Sequence, residues 1–201
     1  MSRLIAEPAP SSITPSGSPL TVIKGRLLEA RVVSSPNFNE RPQGEDDIDL
    51  LVIHNVSLPP EQFGGDYIEH FFCNQLDENA HPYFKTIVDL QVSAHLLITR
   101  EGEIIQFVPF GARAWHAGRS YFNGREECND YSIGIELEGA DTIAYTDTQY
   151  RVLADVTHAI LHYYPRITKQ RIVGHSEIAP TRKTDPGEAF NWTRYFELLE
   201  S

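Results

Sequence analysis

Cysteine is scarce in this chain of 201 residues, which holds only Cys73 and Cys128. A domain stapled by disulfides carries a denser cysteine framework, so both are expected to be reduced thiols in a cytoplasmic protein. No apolar run approaches the roughly 20 residues that cross a bilayer, and no membrane contact is expected. The opening residues Met1-Ser2-Arg3-Leu4-Ile5-Ala6-Glu7-Pro8 put an acid and a proline where an export signal needs its apolar core. Basic residues are also in deficit: 17 Lys and Arg face 28 Asp and Glu, for a formal net charge of −11. Nucleic-acid affinity arises mainly from cations that displace phosphate counterions, so the charge disfavours nucleic acid and none is expected as a partner. The same charge disfavours an anionic wall polymer and favours a small soluble substrate held by local basic groups.

What is present is the composition of an ordinary globular protein, 41% hydrophobic and 22% charged, at a length suited to one domain. Pro8, Pro10, Pro15 and Pro19 lie among serines, and such a stretch buries too little apolar surface to offset its ordering entropy. Residues 1–22 therefore read as a flexible extension and residues 23–201 as the folded domain, expected as a monomer. Residues 26–42 read as an irregular arm. Residues 47–54 hold a continuous apolar centre, the mark of a strand covered on both faces. Asp66 is placed to cap a short helix carrying Ile68, Phe71, Phe72 and Leu76 on one side. Residues 94–99 and 103–108 flank a glycine-containing turn and predict a hairpin. Ser132-Ile133-Gly134-Ile135-Glu136-Leu137-Glu138 alternates strictly, so that Glu136 projects from a face relieved by Gly134. Thr146 and Gln149 form a capping box ahead of the longest helical pattern, which Pro165 ends. Residues 171–174 read as a short strand and residues 192–199 as a final helix. The fold class that follows is α/β with α+β mixing: a single domain with a central mixed β-sheet flanked by helices.

Chemistry concentrates in residues 174–187. His175, Lys183 and Asp185 share a loop punctuated by Pro180, Pro186 and Gly187, and His54 stands at the end of the first apolar strand. Two imidazoles and a carboxylate suit zinc, and three protein ligands that leave a fourth position open mark a catalytic rather than a structural site. His54, His175 and Asp185 could supply that set. His70, His81, His95, His158 and His162 read as structural or surface residues.

Four segments, Leu51-Val52-Ile53-His54-Asn55, Ala114-Trp115-His116-Ala117-Gly118, Ser132 onward to Gly139, and Gly174-His175 with Thr184-Asp185-Pro186-Gly187, resemble the zinc-dependent N-acetylmuramoyl-L-alanine amidases in both content and order. The similarity is strongest to the cytoplasmic branch that cleaves 1,6-anhydro-N-acetylmuramoyl peptides in cell-wall recycling, and it runs from about position 26 to the end. The resemblance implies the sheet-and-helix fold shared with phage amidases and peptidoglycan recognition proteins. It implies one Zn2+ per chain on His54, His175 and Asp185, with Glu136 as catalytic acid and base. It further implies Lys183 as oxyanion stabiliser and a substrate groove lined by Asn55, Trp115 and His116. Two rival readings follow from the same superfold, a muropeptide-recognition module without catalysis and a lytic amidase acting on intact wall. One departure stands out: the cytoplasmic branch carries arginines near positions 91 and 127 for the stem-peptide carboxylates, whereas this chain has Gln91 and Glu127.

Overall fold

Six strands build one sheet in the computed structural model, which describes residues 19–201. They are β1 (Arg31–Val32), β2 (Leu50–Val56), β3 (Leu96–Ile98), β4 (Ile104–Gln106), β5 (Ser132–Glu138) and β6 (Ile172–Gly174), in the spatial order β6-β2-β5-β3-β4-β1. Strands β6, β2, β5 and β3 run parallel, while the β3–β4 hairpin reverses direction and β1 follows β4. The mixed sheet is thus the one expected. Four helices accompany it: α1 (Tyr67–Phe72), α2 (Asp147–Tyr163), α3 (His175–Ile178) and α4 (Trp192–Leu199).

The period of two along each strand sorts the side chains. Leu51 and Ile53 of β2 join Ile133, Ile135 and Leu137 of β5 on one face, packed against Leu153, Val156 and Ile160 of α2 and Tyr195 of α4. On the opposite face Leu50 and Val52 meet Cys128, Tyr131 and Ile178, and Leu97 and Ile105 meet the aromatic group of Phe71, Phe72, Phe84 and Phe107. Helix α2 starts where the capping box requires: the Thr146 hydroxyl accepts from the Gln149 amide, and the Gln149 side chain accepts from the Thr146 amide.

Four sequence expectations are corrected. Arg31–Val32, within the arm expected to be irregular, joins the sheet as edge strand β1 beside Ile105 and Gln106; a two-residue strand carries too short a period to be read. Asp66 precedes α1 but makes no side-chain cap, and α1 ends at Phe72, short of Leu76; the Asp66 carboxylate lies 3.5 Å from His70 instead. His54 sits inside β2, two residues before its end. The stretch read wholly as a loop opens with one helical turn, α3, entered directly from β6. Of the extension assigned to residues 1–22, residues 1–18 lie outside the described part, and Leu20 and Val22 pack against the main core. Among the described residues, no helix is long and apolar enough to cross a membrane.

Candidate metal centre and its cleft

Strand pairing brings the first two site residues together. His54 on β2 is the register partner of Glu136 on β5, so their side chains emerge side by side on the face opposite α2. Strand β6 pairs with β2 on its other side, with Gly174 beside Ile53, and thereby delivers His175 at the start of α3. Asp185 arrives from the following loop. The His54 and His175 Nδ1 atoms lie 3.0 Å apart, and each lies 3.0 Å from the same Asp185 oxygen, Oδ2. Three atoms able to donate lone pairs form a nearly equilateral triangle, with both imidazoles almost fully buried. A tetrahedral zinc holds its nitrogen and oxygen ligands roughly 3.3–3.6 Å apart, so the donor set fits such a cation with little adjustment. The remaining His175 nitrogen, Nε2, donates to the Ala117 carbonyl at 3.0 Å. A neutral imidazole carries a single N–H, which leaves His175 Nδ1 as a bare donor toward the triangle.

The loop bearing Asp185 is anchored along its length. Asn55 donates to the Asp141 carboxylate at 2.9 Å and to the Pro186 carbonyl at 3.1 Å. Tyr145 donates to the same carbonyl at 2.7 Å, Thr184 donates to Asp141, and the Ala189 amide donates to the Asp141 carbonyl at 2.8 Å. Gly187 has φ of +80°, and a Cβ there would come within 2.1 Å of the Asp141 Cα. Only glycine fits, because the conformation and the lack of space both exclude a side chain.

Burial governs the electrostatics. Glu136 has one oxygen, Oε2, buried without a partner. Its pKa is pushed up to about 8, first by burial and then by the Asp185 charge, with Lys183 pulling the other way. Burial also pushes His54 down to about 4, offset in part by Asp185, and moves His116 well below its ordinary value, with His54 the next cause. Both rings are therefore neutral at pH 7. Lys183 is half-buried on the cleft wall and has no ion-pair partner within 4.0 Å among the described residues.

The triangle lies in a cleft of about 620 Å³, a size suited to a small ligand. Lys183, Arg182 and Asp141 border it together with the apolar or aromatic Leu58, Tyr83 and Leu90. Trp115 stands in the wall with its indole N–H donating to Asn39 at 2.7 Å. Asn55 and His116 also border the cleft, but their polar atoms turn inward, Asn55 to the anchored loop and His116 to His54 and Ser132. Glu138, on the same face of β5 as Glu136, is buried and accepts from the Gly64 and Arg100 amides, which removes the alternative of a solvated acidic face. Gln91 and Glu127 are exposed, and Glu127 lies 3.7 Å from Arg113. Of the basic residues near the site, Arg182 reaches the cleft, where its guanidinium donates to the Ala117 and Arg119 carbonyls. Asp141 and Tyr145 carry no signal in the sequence, because their contacts to Asn55, Thr184 and Pro186 join distant segments and follow no local motif; Ser132 stands at the head of the alternating strand, but nothing local announces its contact with His116.

A mixed α/β domain with a buried His-His-Asp cluster at the floor of a cleft, beside an unpartnered glutamate, has the donor set and layout of a metallohydrolase. The chain belongs to the N-acetylmuramoyl-L-alanine amidase family, whose model matches residues 44–188. It is 57% identical over 176 residues to the 1,6-anhydro-N-acetylmuramyl-L-alanine amidase AmpD of Citrobacter freundii, covering 88% of this chain and 93% of that protein. A crystal structure of a selenomethionine AmpD derivative superposes with a TM-score of 0.87 at 55% identity, covering 90% of this chain and 99% of the other. AmpDh3 of Pseudomonas aeruginosa, solved with an anhydromuramic pentapeptide, matches with a TM-score of 0.57 at 30% identity, covering 76% of this chain and 60% of that one.

Proposed function

We propose that this protein hydrolyses the amide joining the lactyl group of 1,6-anhydro-N-acetylmuramic acid to the L-alanine of its stem peptide, as a zinc enzyme of peptidoglycan recycling. The observation that carries the reading is the 3.0 Å triangle of His54, His175 and Asp185 donor atoms beside the buried, unpartnered Glu136 oxygen. AmpD of C. freundii is named for this activity, and the AmpDh3 structure holds an anhydromuramic pentapeptide. A cytoplasmic setting belongs to the same reading and is supported by two free thiols, Cys73 and Cys128.

An amide resists water because the nucleophile is weak and the tetrahedral intermediate carries a negative oxygen. His54, His175 and Asp185 would hold the zinc ion, which when bound would supply Lewis acidity to activate water and polarise a carbonyl. Glu136 takes the proton of the attacking water and passes it to the leaving nitrogen of L-alanine. Its raised pKa suits that double task, since a group that titrates near neutrality both accepts and returns a proton. Lys183 faces the developing oxyanion from the cleft wall, a fixed cation of the kind worth about 3–4 kcal/mol of barrier. Trp115, with its indole pinned by Asn39, gives the sugar or peptide a rigid apolar surface, while Asn55 holds the loop that presents Asp185.

The purified chain, incubated with a defined anhydromuropeptide, is expected to release a peptide with a free L-alanine amine. Chelation should abolish the reaction and added zinc restore it, with far slower release from insoluble sacculi. Faster release from sacculi would assign the protein to wall lysis, and binding without release would make it a recognition module.

A further inference from the structure

The histidine beside the proposed metal ligand ends a chain of hydrogen bonds whose direction is fixed at its far end. Ser132, fully buried, donates its hydroxyl proton to the Cys128 carbonyl at 2.6 Å. A carbonyl can only accept, so the serine proton is committed there and the Ser132 oxygen is left as an acceptor. Its neighbour at 3.2 Å is His116 Nε2, which must therefore carry the N–H. A neutral imidazole has one such proton, so His116 Nδ1 is bare and accepts. It lies 2.9 Å from His54 Nε2, which must in turn be protonated. The His54 lone pair is then forced onto Nδ1, the atom that faces Asp185 and His175.

We propose that Ser132 and His116 are positioning residues that fix the Nε2–H tautomer of His54, holding its Nδ1 lone pair toward the cation whether or not the cation is present.

Two further features of the chain point the same way. The His116 ring lies directly over Gly134, where a Cβ would come within 2.5 Å of its Cγ and Nδ1; β5 thus provides the acceptor at Ser132, the space at Gly134 and the acid at Glu136 on one face. The backbone beside the ring is clamped as well, because the His116 and Ala117 amides both donate to the buried Asn129 side chain, at 3.1 and 2.8 Å. Ala117 is also the residue whose carbonyl orients His175. One short loop therefore sets the tautomer of both imidazoles, one through a backbone carbonyl and the other through a side chain. Partners of this kind set ligand orientation and basicity, and their loss typically lowers metal affinity 10–100-fold.

The inference rests on the zinc reading, but it can be tested without metal. In the chelator-treated, 15N-labelled full chain, long-range proton–nitrogen correlations should show His54 and His116 each protonated at Nε2. A His54 proton on Nδ1 would overturn the proposal. In Ser132→Ala the serine acceptor is gone, and a second His54 tautomer should appear; an unchanged single tautomer would count against the relay. Zinc affinity is then read by competition with a chromophoric chelator. His116→Phe keeps the ring volume and removes the acceptor, and should bind 10–100-fold more weakly. His116→Asn returns an oxygen to the Nδ1 position and should recover most of that loss. Affinity equal to the parent in His116→Phe would sink the proposal while leaving the enzyme assignment intact. Failure of the parent itself to bind zinc would sink the zinc reading, with the tautomers still measurable.

Discussion

The two faces of the sheet are cut from the same strands and do opposite work. Toward α2 and α4, β2 and β5 present Leu51, Ile53, Ile133, Ile135 and Leu137, a hydrocarbon surface with nothing to titrate. On the other face, beyond the apolar pair Leu50 and Val52, the intervening residues are His54, Ser132, Gly134, Glu136 and Glu138. The first face gains its stability from area removed from water, which tolerates changes that preserve volume. The second keeps buried polar atoms, each of which needs a partner or carries a cost. Ser132, His54 and Glu138 have partners, and Glu136 retains an oxygen without one. Strict alternation lets seven residues of β5 act as core and as chemistry at once.

The contrast is sharpest at His175. His175→Ala should lose stoichiometric zinc and drop activity to background, while far-ultraviolet circular dichroism stays near that of the parent; retained zinc would remove His175 from the ligand set. Glu136→Ala ranks next: zinc content should hold while kcat falls by about 10²–10⁴-fold, the usual scale for a general acid–base group. Near-normal turnover would free Glu136 from that role. On the helix face the effects reverse. Leu153→Ala, at a fully buried position, should cost about 2–5 kcal/mol in denaturant unfolding and leave kcat per folded molecule unchanged. A large kcat loss there would show that the faces are coupled.

The smallest effect is a pH dependence of stability. Glu136 ionises near 4.5 in an unfolded chain and at about 8 in the folded one. Between those values the folded state binds the extra proton, so its contribution falls as pH rises. Glu136→Gln removes the penalty. In metal-free protein the variant should match the parent in Tm near pH 4.5 and exceed it increasingly toward pH 8. A constant offset across that range would mean that the carboxyl is not perturbed as described.

Much of this arrangement is legible in the chain. β5 carries a strict period of two, α2 is announced by both halves of its capping box, and the apolar run of β2 requires a sheet covered on both sides. His54, His175 and Asp185 attract notice through residue type and setting. Their convergence is not legible, because it depends on β2 pairing with β5 and β6 across some 80 and 120 residues, and no local pattern encodes a register between distant strands. The same limit hides the link from Ser132 to His54. In the sequence Gly134 signals open space above a sheet, and the structure fills that space with the His116 ring.

Gly187 has a consequence for how this cleft can change. Its left-handed backbone presses against Asp141 with no room for even a methyl group, and the neighbouring segment is laced to Asn55, Thr184 and Tyr145. Variation on that side is closed off. Tyr83 and Leu90 also line the cleft and stand 39% and 50% exposed. Engineering or natural drift toward other peptide lengths has its freedom there, where a new side chain alters the shape of the entrance without disturbing the floor.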